Sequence, residues 1–167
     1  KVYDVATNTP ISYAANISTK LGNDVFLKRE DMQPIFSFKI RGAYNKIANL
    51  GAQQKKRGVL TASAGNHAQG VANACRKLKI PCLIVMPVTA PEIKIKAVKR
   101  LGAKVKLFGD NFDQASKKAI QLSKEKKIEF IEAFDDPYTI AGQGTVGKEI
   151  LDADPSLDVI FVPVGGG

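Results

Sequence analysis

Gly58-Val59-Leu60-Thr61-Ala62-Ser63-Ala64-Gly65-Asn66-His67-Ala68-Gln69-Gly70 passes from an apolar stretch, through small residues, into a segment with helical spacing. Val59, Leu60 and Ala62 read as a buried strand, and Ser63 to Gly65 as a tight turn. From His67 the apolar residues recur every three or four positions, so a helix is predicted over 67–78. The same alternation continues downstream, with strands predicted at 58–62, 81–86, 104–108, 128–131 and 158–164 and further helices at 91–101, 112–126 and 139–152. Pro91 suits a first helical turn, and Gly102 sits where a helix must end in a left-handed residue. Continuously apolar strands separated by amphipathic helices imply an open, mostly parallel sheet covered by helices and joined by right-handed crossovers. The fold class is therefore α/β, and ligands are expected beyond the carboxyl ends of the strands.

Upstream the pattern is less regular, with a strand predicted at 24–28, a polar turn at 29–34 and a helix at 37–50. At 167 residues, 44% hydrophobic and 25% charged, the chain has the composition of a globular protein with a substantial core. It has no run of about 18 apolar residues and no charged leader followed by an apolar stretch, so a cytoplasmic protein that does not enter the membrane is expected. Cys75 and Cys82, with one histidine in the chain, give no metal-ligand spacing; they read as reduced core thiols, and no metal is expected. The net charge of +9 raises the question of nucleic acid. Lys94, Lys96, Lys99, Arg100, Lys104 and Lys106 alternate with Ile93, Ile95, Val98 and Leu101 as on a solvated face, and no aromatic residues interleave to stack on bases. No nucleic-acid partner is expected.

Three loops carry chemistry. In Phe36-Ser37-Phe38-Lys39-Ile40-Arg41-Gly42-Ala43 a lysine opens a helix between two apolar residues. Lysines are ordinarily exposed, but an amine in apolar surroundings loses proton affinity and becomes a nucleophile toward aldehydes and a base. In the turn at 63–70, backbone N–H groups and a helix N-terminus converge, which suits a carboxylate or phosphate. Helix capping by Ser63 or Asn66 accounts for the same residues. His67, the only histidine, offers acid-base chemistry, or packing and capping near a helix start. Third, Val162-Pro163-Val164-Gly165-Gly166-Gly167 places consecutive glycines after an apolar strand, where backbone can approach a ligand closely. A glycine loop at a strand end leads into another element, so the sequence reads as a fragment. Gly142-Gln143-Gly144-Thr145-Val146-Gly147 matches the dinucleotide fingerprint, but it lies well after its strand and lacks the later acidic residue. Its glycines are expected to serve close helix packing.

Taken in order, these loops resemble the fold type II pyridoxal-phosphate enzymes. Leu27-Lys28-Arg29-Glu30-Asp31 with Ser37-Phe38-Lys39-Ile40-Arg41-Gly42-Ala43 is similar to the lysine segment of threonine and serine dehydratases. Ser63-Ala64-Gly65-Asn66-His67-Ala68-Gln69-Gly70 is similar to their substrate loop, and Ile140-Ala141-Gly142-Gln143-Gly144-Thr145 and Val162-Pro163-Val164-Gly165-Gly166-Gly167 to their later segments. Val2-Tyr3-Asp4-Val5-Ala6 and Gln33-Pro34-Ile35-Phe36 resemble the biosynthetic threonine dehydratases more than the catabolic ones. The resemblance implies pyridoxal 5'-phosphate on Lys39, with Phe38 beside it, Asn66 on its phenolic oxygen and Gly165, Gly166 and Gly167 on its phosphate. It implies an amino-acid substrate gripped by Ser63, Ala64, Gly65 and His67, and a homo-oligomer, a tetramer. The implied reaction converts threonine to 2-oxobutanoate and ammonia, and serine to pyruvate. Racemases of the family use a second serine where this chain has Ala64, which favours elimination. Residues 1–57 and 137–167 are expected in the large cofactor-binding domain, and 58–136 in a small inserted domain carrying the substrate loop.

Overall fold

The computed structural model describes residues 1–164. A 3-10 turn at Val2–Asp4 leads to β1 (Ile11–Tyr13), α1 (Ala15–Leu21) and β2 (Phe26–Lys28), with β1 and β2 paired antiparallel. After a second 3-10 turn at Glu30–Met32 come α2 (Lys39–Ala48) and α3 (Ala52–Arg57). The chain then alternates through β3 (Val59–Ala62), α4 (Asn66–Leu78), β4 (Cys82–Met86), α5 (Glu92–Arg100), β5 (Lys104–Leu107), α6 (Phe112–Lys126), β6 (Glu129–Phe130) and α7 (Pro137–Ala153). The last four strands form one parallel sheet in the order β5-β4-β3-β6, the α/β architecture expected from the alternation.

Both faces of the central strands β3 and β4 are buried, and the period of two along each strand assigns side chains to them. Val59, Ile84 and Met86 pack with Val71, Cys75 and Val98 from α4 and α5. Leu60, Ala62 and Val85 point the other way, onto Ala115, Ala119 and Leu122 of α6. Full burial of a side chain such as Leu60 contributes about 1.5–3 kcal/mol. Cys75 and Cys82 are buried and free; the neighbouring Cys82 thiol, together with burial, pushes the Cys75 thiol pKa up.

α2 is the pivot of the packing, held between α4 and α7. A Cβ built on Gly70 of α4 would lie 2.8 Å from the Lys39 carbonyl oxygen, and one on Gly142 of α7 would lie 2.6 Å from Gly42 Cα. Of the three glycines in the 142–147 motif only Gly142 serves close packing. Gly144 and Gly147 have no neighbour within 4 Å of a built Cβ, a correction to the sequence expectation.

Residues 158–164, expected as a strand, form none. A strand needs a neighbour for its N–H and C=O groups, and this apolar run has none among the described residues, leaving Phe161 92% exposed. The expected helix at 37–50 is divided between α2 and the turn that precedes α3, and β1, α1 and α3 carried no sequence expectation. No helix among the described residues is long and apolar enough to cross a membrane.

Candidate active site

Lys39 is the first residue of α2 and is half-buried. Its Nζ donates to the Ala133 carbonyl at 2.9 Å and sits 5.2 Å from the Phe38 ring centroid. Burial holds the amine pKa below its ordinary value, the condition for a lysine that must spend part of its time uncharged. The preceding turn is tight: Phe36 takes a left-handed φ of 57°, and the buried Ser37 hydroxyl accepts the Lys39 N–H at 3.3 Å.

The Ser63–His67 turn joins β3 to α4 at the carboxyl end of the sheet. Ser63 Oγ accepts from the N–H groups of Gly65 at 3.1 Å and Ala68 at 3.3 Å, so the serine caps the helix from two residues before the formal cap, Gly65. Its hydroxyl hydrogen donates to nothing among the described residues and remains free for a carboxylate. A helix leaves its first N–H groups without partners inside it; once Ser63 has taken that of Ala68, those of Asn66 and His67 are unpaired among the described residues. Asn66 is exposed at the first helical position, and a Cβ on Gly65 would meet only open space. An anion can therefore reach this terminus.

The imidazole of His67 faces away from that opening. It is 5% exposed, and its Nε2 lies 3.0 Å from the Ile131 carbonyl. A carbonyl can only accept, so Nε2 carries the hydrogen and Nδ1 is a bare acceptor. Nδ1 is buried without a partner, which costs about 1–3 kcal/mol. Burial first, and the Lys39 charge in addition, lower its pKa to about 4 against the hydrogen bond to Ile131, so the ring is neutral at pH 7. His67 can offer a substrate its backbone N–H; its ring is committed to Ile131.

Lys39 and the Ser63–His67 turn thus converge on the chain leaving β6, where Ile131 and Ala133 accept from His67 and Lys39. Gly165, Gly166 and Gly167 lie outside the described residues. Behind the site, Arg41 is wholly buried and bonds Glu30 at 2.8 Å and Glu149 at 2.5 Å, with Lys28 completing the cluster on Glu149 at 2.7 Å. Burial works against the Glu149 charge, but bonds from Arg41 and Lys28 bring its pKa below the ordinary value. This cluster and the carbonyls of Ile131 and Ala133 escaped the sequence reading. Backbone oxygens leave no residue signature, and Arg41 is 108 positions from Glu149. Thr61 inside an apolar strand was the one available hint, and its hydroxyl proves to be bonded to Ile131 O at 2.8 Å.

The family description "pyridoxal-phosphate dependent enzyme" matches residues 2–167. The chain belongs to the pyridoxal-phosphate dependent enzymes. A Pasteurella multocida protein named as a biosynthetic L-threonine dehydratase is 55% identical over 167 residues, covering 100% of this chain and 33% of that protein. The processed form of threonine deaminase isoform 2 from Solanum lycopersicum superposes with a TM-score of 0.97 at 50% identity, over 99% of this chain and 46% of that one. Maize serine racemase superposes at 0.95 with 36% identity, over 99% and 50% of the two chains. This pyridoxal-phosphate dependent enzyme chain therefore spans a third of the first relative's length. Its residues fit the cofactor: Lys39 is a desolvated amine for an aldehyde, and the N-terminus of α4 presents open N–H groups to an anion.

Proposed function

We propose that Lys39 holds pyridoxal 5'-phosphate and that the complete protein eliminates water from L-threonine, and from L-serine, to give 2-oxobutanoate or pyruvate and ammonia, the opening step of isoleucine formation. The observation that carries the proposal is Lys39 itself, whose half-buried amine of lowered proton affinity is directed at the same 131–133 backbone as the Ser63–His67 turn. Bound there, the cofactor supplies an electron sink for the charge left when an amino acid loses its Cα proton.

The chain's own residues supply the rest. Lys39 Nζ, its proton affinity lowered by burial, is the base for the Cα proton. The free hydroxyl hydrogen of Ser63 and the N–H groups at Ala64 and His67 orient the substrate carboxylate, and Gly65, with no side chain, leaves the approach open. Asn66 is the residue for the cofactor's phenolic oxygen, Phe38 the apolar wall beside it, and Gly165 to Gly167 the phosphate loop. Ala64 has no hydroxyl with which to return a proton to the opposite face, which favours elimination over racemisation although a serine racemase is among the similar structures.

In the same proposal residues 1–57 and 137–167 belong to a large cofactor-binding domain and 58–136 to a small domain inserted in it; the parallel sheet falls wholly within the second range. The protein is proposed to act in the cytoplasm as a homotetramer. The functional test uses the full-length protein. Pyridoxal phosphate bound to a lysine absorbs at roughly 410 nm, and Lys39→Ala is expected to abolish that band together with oxo-acid formation from threonine. Retention of the band would show another lysine to be the attachment point.

A further inference from the structure

Residues 131–133 form a strap whose backbone oxygens are engaged by side chains from four elements. Ile131 O accepts from Thr61 of β3 at 2.8 Å and from His67 of α4 at 3.0 Å. Glu132 O accepts from Thr139 of α7 at 3.4 Å, and Ala133 O accepts from Lys39 of α2 at 2.9 Å. The strap itself is anchored to the sheet by Ile131 N donating to Leu60 O at 2.8 Å. Filling space does not explain an imidazole at position 67. Its Nδ1 is buried with no partner, and an apolar side chain would fill the same volume without leaving an acceptor unsatisfied.

We propose that His67 is a positioning residue for Lys39: its Nε2–H pins the 131–133 strap, so that the Ala133 carbonyl stands where it fixes the lysine amine. Lysine has a long side chain with many rotamers, and a fixed acceptor at its tip selects among them. A neutral amine that donates one N–H to Ala133 keeps its lone pair free for an aldehyde or for a proton. The pinning stands on the hydrogen bonds alone, whereas its effect on the amine's partner rests on the cofactor reading above.

The test compares His67→Phe, His67→Gln and Thr61→Val in the full-length protein, by amide hydrogen exchange across 129–136 and by titration of the cofactor-free protein with pyridoxal phosphate. Phenylalanine keeps the ring volume without the donor, and glutamine places an amide N–H where Nε2–H was. Loss of the bond in His67→Phe is expected to speed exchange of the Ile131 amide, which donates to Leu60 O, by about tenfold and to weaken cofactor binding by a similar factor. His67→Gln should restore both, and Thr61→Val should move both the same way by a smaller factor. Unchanged exchange in His67→Phe and Thr61→Val would overturn the pinning, as would equal exchange in the Phe and Gln variants. Faster exchange with unaltered cofactor affinity would overturn the action on Lys39. A wild-type protein that binds no pyridoxal phosphate would instead overturn the cofactor reading, and with it only the last step.

Discussion

Two residues of ordinary type, Lys39 and His67, acquire their properties from burial, and both lose proton affinity because the charged form is poorly solvated where they sit. For His67 the consequence is measurable as stability. The folded chain protonates this ring only near pH 4, the unfolded chain near 6.5. Between those values the unfolded state holds the extra proton, so the contribution is complete above pH 6.5 and declines as pH falls toward 4, by about 3 kcal/mol in all. Urea unfolding of the wild type and of His67→Gln should therefore give stabilities that diverge with pH, the wild type losing ground to the variant on acidification. Parallel curves would contradict the burial of a neutral ring. Lys39, also pushed toward its neutral form, pairs with a backbone carbonyl and has no carboxylate partner among the described residues to hold its charge.

At the scale of elements, α7 carries its own control. Gly142 meets α2 so closely that a Cβ would stand 2.6 Å from Gly42 Cα and 2.7 Å from the Arg41 carbonyl oxygen, whereas Gly144 faces open space. Gly142→Ala is expected to lower stability by about 1–3 kcal/mol through overpacking. Gly144→Ala should raise it by up to about 1 kcal/mol through helix propensity alone. Thermal melting of the two variants checks the pair, and shifts of the same sign would refute the crossing. The elements that the sequence disclosed are those with local periodicity, such as β3, β4 and α6. It misplaced 158–164 because a strand is defined by a partner, and an apolar run names none. It missed β1 and α1 because three-residue strands and a largely exposed seven-residue helix leave too few positions to establish a period. Likewise the lysine and the turn at 63–70 were legible as motifs. The strap they share was not, since Ile131 and Ala133 act through atoms that every residue has.

In the molecule as a whole, the segment around α2 is tied to α7 by four charges, two of each sign, on Lys28, Glu30, Arg41 and Glu149. Arg41 also reaches the Thr7 carbonyl at 3.1 Å and the Thr145 hydroxyl at 3.0 Å, so one guanidinium binds chain from both ends of the sequence. Arg41→Met would leave Glu149 with Lys28 as its one cation among the described residues and Glu30 with only the neutral donors Thr9 and Gln33, and a loss of about 3–5 kcal/mol is expected in denaturant unfolding. A loss below about 1 kcal/mol, the range of exposed pairs, would show the cluster to be solvated. This brace lies directly behind the first turn of α2, so it and the α4 contact at Gly70 together fix the residue on which the account depends. The direct test is to treat the full-length protein, loaded with pyridoxal phosphate, with borohydride and to map the phosphopyridoxyl group by peptide mass spectrometry. The group is expected on Lys39 alone; its recovery on any other lysine, with Lys39 unmodified, would contradict the assignment of Lys39.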